Sequence, residues 1–145
     1  MNRQLPSVLV AVTYTALVIV AWGLTSLLRD EDVMHYADAG PLLGPSMAVA
    51  ATLTTWGWVV RVRKVGGLVV SGVGAATSAW LAMLLVGAAG YTLTKGALAW
   101  LLLFPASYAL SAFTLVPAAL AGTLVAVTGA LSLRAKSFAR PRRED

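Results

Sequence analysis

The residues best suited to chemistry lie in one short segment, RDEDVMHYADAG, at residues 29–40. It holds four of the chain's six acidic residues and its single histidine. In a helix, Glu31 and His35 would be four residues apart, and His35 and Asp38 three, so that all three would share one face. One imidazole and two carboxylates are ligands that bind a divalent cation. Glu31, His35 and Asp38 are therefore the candidate metal residues.

The alternative for this segment is a solvated loop that performs no chemistry. Long apolar stretches flank it on both sides, and a connection between two membrane spans needs residues that water solvates. Acidic residues gather there freely, because the rule that sets orientation acts on Lys and Arg. We favour the solvated loop, and we expect no metal, no catalytic residue and no cofactor.

The overall composition indicates a membrane protein. Of the 145 residues, 59% are hydrophobic and 12% charged, whereas a soluble globular domain has about 25% charged residues. The chain has no cysteine, which excludes disulfides, thiolate metal sites and cysteine nucleophiles. The formal charge is +5, but the cations lie between apolar blocks, and we expect no nucleic-acid partner.

Four apolar blocks are long enough to cross a bilayer, which takes about 20 helical residues. They predict spans near residues 7–28, 41–60, 65–90 and 111–133. The uncharged stretch before the fourth span is too long for one helix, so ALAWLLLF, residues 97–104, is predicted to be a short interfacial or re-entrant segment. We expect one domain over residues 1–145: an all-α integral membrane protein with four transmembrane helices in a bundle and a basic tail at 134–145.

The cations predict the orientation, because short cytoplasmic loops carry the excess of Lys and Arg. With four spans, the two ends and the second loop share one side and hold all but two of the eleven cations. Only Arg29 and Lys95 lie on the other side. We therefore expect a multi-pass protein of the cell membrane with both termini cytoplasmic. Its partners would be the lipid bilayer and, for the tail, anionic lipid.

Two rows of small residues in the third and fourth spans predict close contact between helices, since small side chains let backbones approach in lipid. The rows are Gly67, Ser71, Ala75 and Ala79, and Ala118, Gly122, Ala126 and Ala130. They would serve either packing within one bundle or a face for a homo-oligomer or larger membrane complex, and both readings stay open. Tyr14 and Trp80 lie mid-span, where the O–H and N–H groups need partners on neighbouring helices.

The class of function is inferred mainly from what the spans lack. All four lack Asp, Glu, Lys, Arg and His, the residues with which ion-coupled transporters work. His35 with scattered Ser and Thr gives no nucleophile beside a base, so we expect no enzyme. The first hypothesis is a non-enzymatic accessory or interaction subunit of a membrane complex. The alternative is a small homo-oligomeric channel or carrier, which needs the span hydroxyls to converge on a wet path.

Overall fold

The computed structural model describes residues 5–30, 40–62 and 67–138, and within these ranges the regular structure is entirely helical. Five helices follow one another along the chain: α1 (Leu5–Arg29), α2 (Leu43–Val62), α3 (Leu68–Lys95), α4 (Trp100–Tyr108) and α5 (Ala112–Phe138). Three of these are long and apolar enough to cross a membrane: α1, α3 and, over its first part, α5. The prediction of an all-helical chain with long apolar helices is therefore confirmed.

The helix boundaries follow from local backbone chemistry. Pro6 and Pro45 lie in the first turns of α1 and α2, where a missing N–H costs little. The helix α3 continues beyond the predicted end of its span because no residue breaks it before Gly96. Gly96 adopts φ 67° and donates its N–H to the carbonyl of Thr92 at 2.8 Å, a left-handed termination that glycine takes without strain.

The segment before the fourth predicted span differs from the expected boundaries. Its helix, α4, begins at Trp100 rather than Ala97 and continues through Pro105 to Tyr108. Pro105 removes one helical donor, but it ends no helix here, and the break comes at residues 109–111 instead. The short helix is therefore shifted toward α5.

The four long helices alternate in direction. Tyr14 of α1 contacts Pro117 of α5, while Trp22, further along α1, contacts the earlier Phe113, so these two helices are antiparallel. The same reversal holds between α3 and α5 and between α2 and α3. Around the structure the order of packed neighbours is α1, α2, α3 and α5, and α5 returns to α1.

The core between these helices consists of aromatic, aliphatic and small side chains. The larger cluster includes Tyr14, Val18, Met83, Phe104 and Tyr108, each no more than 2% exposed. A smaller cluster joins Val59, Ala75 and Val125 near the other end. Leucine, valine and isoleucine cover much of the outer surface, which is the arrangement expected of helices surrounded by lipid.

Candidate functional site

The candidate metal residues Glu31, His35 and Asp38 lie outside the described residues, as does the rest of the connection at 31–39. Within the ranges that the structure describes, no group of three or more His, Asp or Glu side chains is arranged to hold a metal ion. The choice between a metal site and a solvated loop at residues 29–40 therefore stays a prediction.

The first row of small residues lies on α3 and at its start. Ser71, Ala75 and Ala79 are fully buried, and Gly67 is a half-buried N-cap residue. Ala75 packs in the smaller core cluster and Ala79 in the larger one. Ser71 Oγ has no hydrogen-bond partner among the described residues. This row thus faces the interior of the chain itself.

The second row lies on α5, where Ala118 and Gly122 are buried and Ala126 and Ala130 are half-buried. The helices α3 and α5 approach each other closely at Gly72 and Gly122: a Cβ atom on Gly122 would lie 2.8 Å from the Gly72 carbonyl oxygen. Gly72 lies outside the row predicted from the sequence. The sequence pattern that indicates it is a second pair of small residues on α3, Gly72 and Ala76, each one position after a residue of the predicted row.

Tyr14 links α1 to α5 near the centre of the structure. Its phenol O–H donates to the carbonyl of Pro117 on α5 at 3.1 Å. Tyr14 is fully buried. The partner expected for this mid-span phenol is therefore present on a neighbouring helix.

A second contact between α1 and α5 supplies a hydrogen-bond donor that the backbone of α5 lacks. Pro117 has no N–H, so the carbonyl of Phe113, four residues earlier, lacks its usual helical donor. The indole N–H of Trp22 on α1 donates to that oxygen at 2.8 Å. A side chain of α1 thereby satisfies a carbonyl of α5 that the helix itself leaves open.

Backbone groups at the break between α4 and α5 also have hydrogen-bond partners outside the regular helical pattern. In a continuous helix the Phe113 N–H would reach the Ala109 carbonyl, but it donates to Ser111 Oγ at 3.3 Å. The indole N–H of Trp80, near the middle of α3, donates to the Ala109 carbonyl at 2.9 Å. The Tyr108 carbonyl accepts from Ser111 N and from Thr114 Oγ1. Such pairing is what a backbone break needs wherever water is absent.

The helix α4 is held against α3 by aromatic rings. Phe104 is fully buried and stacks on Tyr108 with ring centroids 4.6 Å apart. Tyr91 of α3 contacts both Phe104 and Trp100. Gly87 leaves the space that the Phe104 ring fills, because a Cβ atom at Gly87 would collide with that ring. The residues of α4 thus contact α3 near Tyr91, and the residues that follow α4 contact it earlier in its sequence, at Trp80.

Many hydroxyl groups in the long helices are used within their own helices. Each donates to a carbonyl three or four residues earlier: Thr15, Thr25, Thr52, Thr54, Thr55, Ser78, Thr123 and Thr128. Trp58 of α2 also donates to Ser78 Oγ at 2.6 Å. These hydroxyls are satisfied within the structure, and none of the contacts named here brings a nucleophile beside a base.

One family model, described as a family of unknown function (DUF6121), matches residues 3–144. The chain belongs to the DUF6121 family. The matched range contains all five helices and every interhelical contact described above. No curated protein and no solved structure matches the chain. Because the function of the family is unknown, the activity of this chain is argued from its structure.

Proposed function

We propose that this DUF6121 member is a multi-pass protein of the cell membrane with four spans and both termini in the cytoplasm. The alternation of the four long helices supports this topology, since four crossings return the chain to its starting side. The end of the structure that holds the α1 N-terminus and the α5 C-terminus also holds the α2–α3 connection. Most of the cations belong to these three segments, as the positive-inside rule requires of the cytoplasmic side.

The second span is α2, although it is the least apolar of the long helices. Its 20 residues extend about 30 Å, which matches the hydrocarbon thickness. It carries no charge before Arg61, and it packs directly on α1 and α3, which are both apolar enough to cross. The polar groups of Thr55 and Trp58 that lower its apolar character are bonded within the structure.

The fourth span, in this proposal, includes α4 as well as α5. The contacts of both helices follow α3 in one direction, from Trp100 beside Tyr91 to Gly122 beside Gly72. A break within a span requires that its freed backbone groups be bonded inside the protein, and Trp80 and Thr114 do this. We therefore prefer a broken fourth span to a separate interfacial or re-entrant segment.

Its function is that of a non-enzymatic interaction subunit of a membrane complex. The observation that carries this proposal is the filled interior, whose largest fully buried side chains are Tyr14, Tyr91, Tyr108, Phe104 and Met83. The predicted spans hold no Asp, Glu, Lys, Arg or His, and the hydroxyls named above donate to their own helices. An interior of this kind offers little that would conduct an ion, and the exposed apolar outer faces of the helices are left for contact with a partner.

A small homo-oligomeric channel or carrier is the second candidate, and the α4–α5 break is the observation that favours it. Transporters place their binding sites where a spanning helix is interrupted at membrane depth. Here the carbonyls of Ala109 and Phe113 accept from indole N–H groups, so that a transported solute would have to compete with Trp80 and Trp22 for these oxygens.

Flux through liposomes separates the two candidates. The purified protein is reconstituted, and leakage of protons, K⁺, Cl⁻ and small sugars is compared with that of empty vesicles. The proposal predicts no flux above the empty vesicles, together with migration of the native protein in a complex larger than one chain after mild solubilisation. Flux above that of the empty vesicles, altered by the Trp80→Phe substitution, would contradict the interaction subunit and support the channel or carrier.

A further inference from the structure

The helix α1 is the least buried of the three helices that are apolar enough to cross a membrane. Of its 25 residues, Ser7, Tyr14 and Val18 are buried, whereas α3 buries ten of 28. These three residues are seven and four positions apart, so they lie on one narrow line along the helix. The helix α1 therefore packs on its neighbours along a single edge.

The packing of α1 on α2 is incomplete. A groove of about 360 Å³ lies between the two helices, and Ile19 beside it is 61% exposed. Thr15 Oγ1 and Thr52 Oγ1 form a hydrogen bond of 3.0 Å across this contact. Each of these hydroxyls also donates to a carbonyl of its own helix, so each keeps a partner when the two helices separate.

Two aromatic side chains hold α1 on α5. The Tyr14 O–H donates to the Pro117 carbonyl at 3.1 Å, and the Trp22 indole N–H donates to the Phe113 carbonyl at 2.8 Å. Both acceptors belong to the turn of α5 that ends at its internal proline. Tyr14 and Trp22 together are called the α1 latch below.

The remaining helices are held together without α1. Trp58 of α2 donates to Ser78 of α3 at 2.6 Å, and Trp80 of α3 donates to the Ala109 carbonyl at 2.9 Å. Phe104 of α4 is fully buried against α3. The helices α2, α3, α4 and α5 thus share a core and hydrogen bonds of their own.

We propose that α1 is a separable helix, which leaves α2 and α5 as one unit while the other helices stay packed, and that the latch holds it in place. Local opening occurs in units that have few buried contacts. Lipid is as apolar as the leucine and valine side chains of α1, so moving them from protein to lipid costs little, and polar contacts decide how firmly the helix is held. The device belongs to the fold and does not depend on which of the two functions above holds.

Distances between pairs of spin labels, measured by double electron–electron resonance on the full chain in lipid nanodiscs, test this device. The chain has no cysteine, so labels attach only at introduced positions. Val12→Cys with Leu85→Cys reports the distance from α1 to α3, and Leu85→Cys with Leu131→Cys reports that from α3 to α5. The three side chains are 63%, 68% and 61% exposed, respectively.

Replacing the latch by Tyr14→Phe and Trp22→Phe should raise the ratio of long to short α1–α3 distances about tenfold, which corresponds to the loss of two hydrogen bonds inside a bilayer. The α3–α5 distances should not change. Trp80→Phe is the matched control, because it removes an equivalent bond from an indole to a backbone carbonyl in which α1 takes no part. It should leave the α1–α3 distances unchanged.

Three results would overturn the proposal. The first is a latch variant whose α1–α3 distances equal those of the unmodified chain. The second is a latch variant that changes the α3–α5 distances as well, or fails to fold, because α1 would then be an integral part of the core. The third is an equal lengthening of the α1–α3 distances by Trp80→Phe, which would show a general loosening of the bundle.

Discussion

The indole nitrogen of Trp22 lies 2.8 Å from the carbonyl oxygen of Phe113, the oxygen that Pro117 leaves without a helical donor. This relationship links α1 to α5 across 91 residues of chain. Trp80 has the same relationship to Ala109. Two tryptophans thus satisfy backbone carbonyls that an interrupted helix exposes inside an apolar structure.

The Trp22 contact predicts a specific non-additivity. Trp22→Phe leaves the Phe113 carbonyl unpaired and should lower the free energy of unfolding by about 1–3 kcal/mol. Pro117→Ala supplies the missing N–H, so Trp22→Phe should cost distinctly less in that background. Denaturant unfolding of the four proteins in micelles measures the coupling. Costs that add to within about 0.5 kcal/mol would show that the two residues do not share this oxygen.

The contact between α3 and α5 predicts opposite outcomes for two glycines. Gly122→Ala places a Cβ atom 2.8 Å from the Gly72 carbonyl oxygen, and the forced separation of the helices should cost about 1–3 kcal/mol. Gly57→Ala on α2 meets nothing within 4 Å, and the better helix propensity of alanine should leave stability unchanged or slightly raised. Thermal unfolding in detergent compares them. Equal melting temperatures for the two variants would show that α3 and α5 do not come this close at Gly122.

The packing of α4 on α3 predicts that Phe104 and Leu102 differ, although both are large apolar residues of one short helix. Phe104→Ala empties a fully buried site and should lower the free energy of unfolding by about 2–4 kcal/mol. Leu102 is 80% exposed, so Leu102→Ala should change it by less than about 0.5 kcal/mol. Unfolding in the same detergent gives both values. A larger loss for Leu102→Ala would mean that α4 turns its other face to α3.

The sequence predicts the features of the fold that depend on the residues of a single segment, such as the long apolar helices. The long apolar blocks around Tyr14 and Trp80 indicated helices, and the mid-span position of both residues indicated that each needs a partner. The identity of those partners, Pro117 and Ala109, depends on contacts between distant segments. No local pattern specifies such contacts.

The small-residue rows show the same limit on a finer scale. Spacing by four residues indicated a packing face on α3. Ser71, Ala75 and Ala79 face the core, and Gly72, outside that row, is the α3 residue whose carbonyl oxygen a Cβ atom on Gly122 of α5 would meet. Adjacent residues on a helix are rotated by about 100° around its axis. Which row of residues a neighbouring helix covers therefore depends on how the helices pack, and the spacing within one helix does not specify it. Likewise, the short segment predicted at residues 97–104 is a helix at Trp100–Tyr108, and the chain leaves helical geometry only at residues 109–111.

The central claim is that α2 spans the membrane and that the chain therefore crosses four times. Because the chain has no cysteine, single cysteines report their side of the membrane without interference. Ala97→Cys, Val65→Cys and Ala139→Cys leave all eleven cations in place, and they lie after α3, between α2 and α3, and after α5.

The decisive measurement is labelling of these three variants in intact cells with a maleimide that cannot cross the membrane. With four spans and a cytoplasmic N-terminus, the cysteine at position 97 is labelled, while those at positions 65 and 139 react only after the cells are opened. An Asn2→Cys variant that is protected in intact cells establishes that the N-terminus is cytoplasmic. If only α1, α3 and α5 crossed from a cytoplasmic N-terminus, all three results would reverse: positions 65 and 139 would be labelled from outside and position 97 would be protected. That reversed pattern would contradict the four-span account.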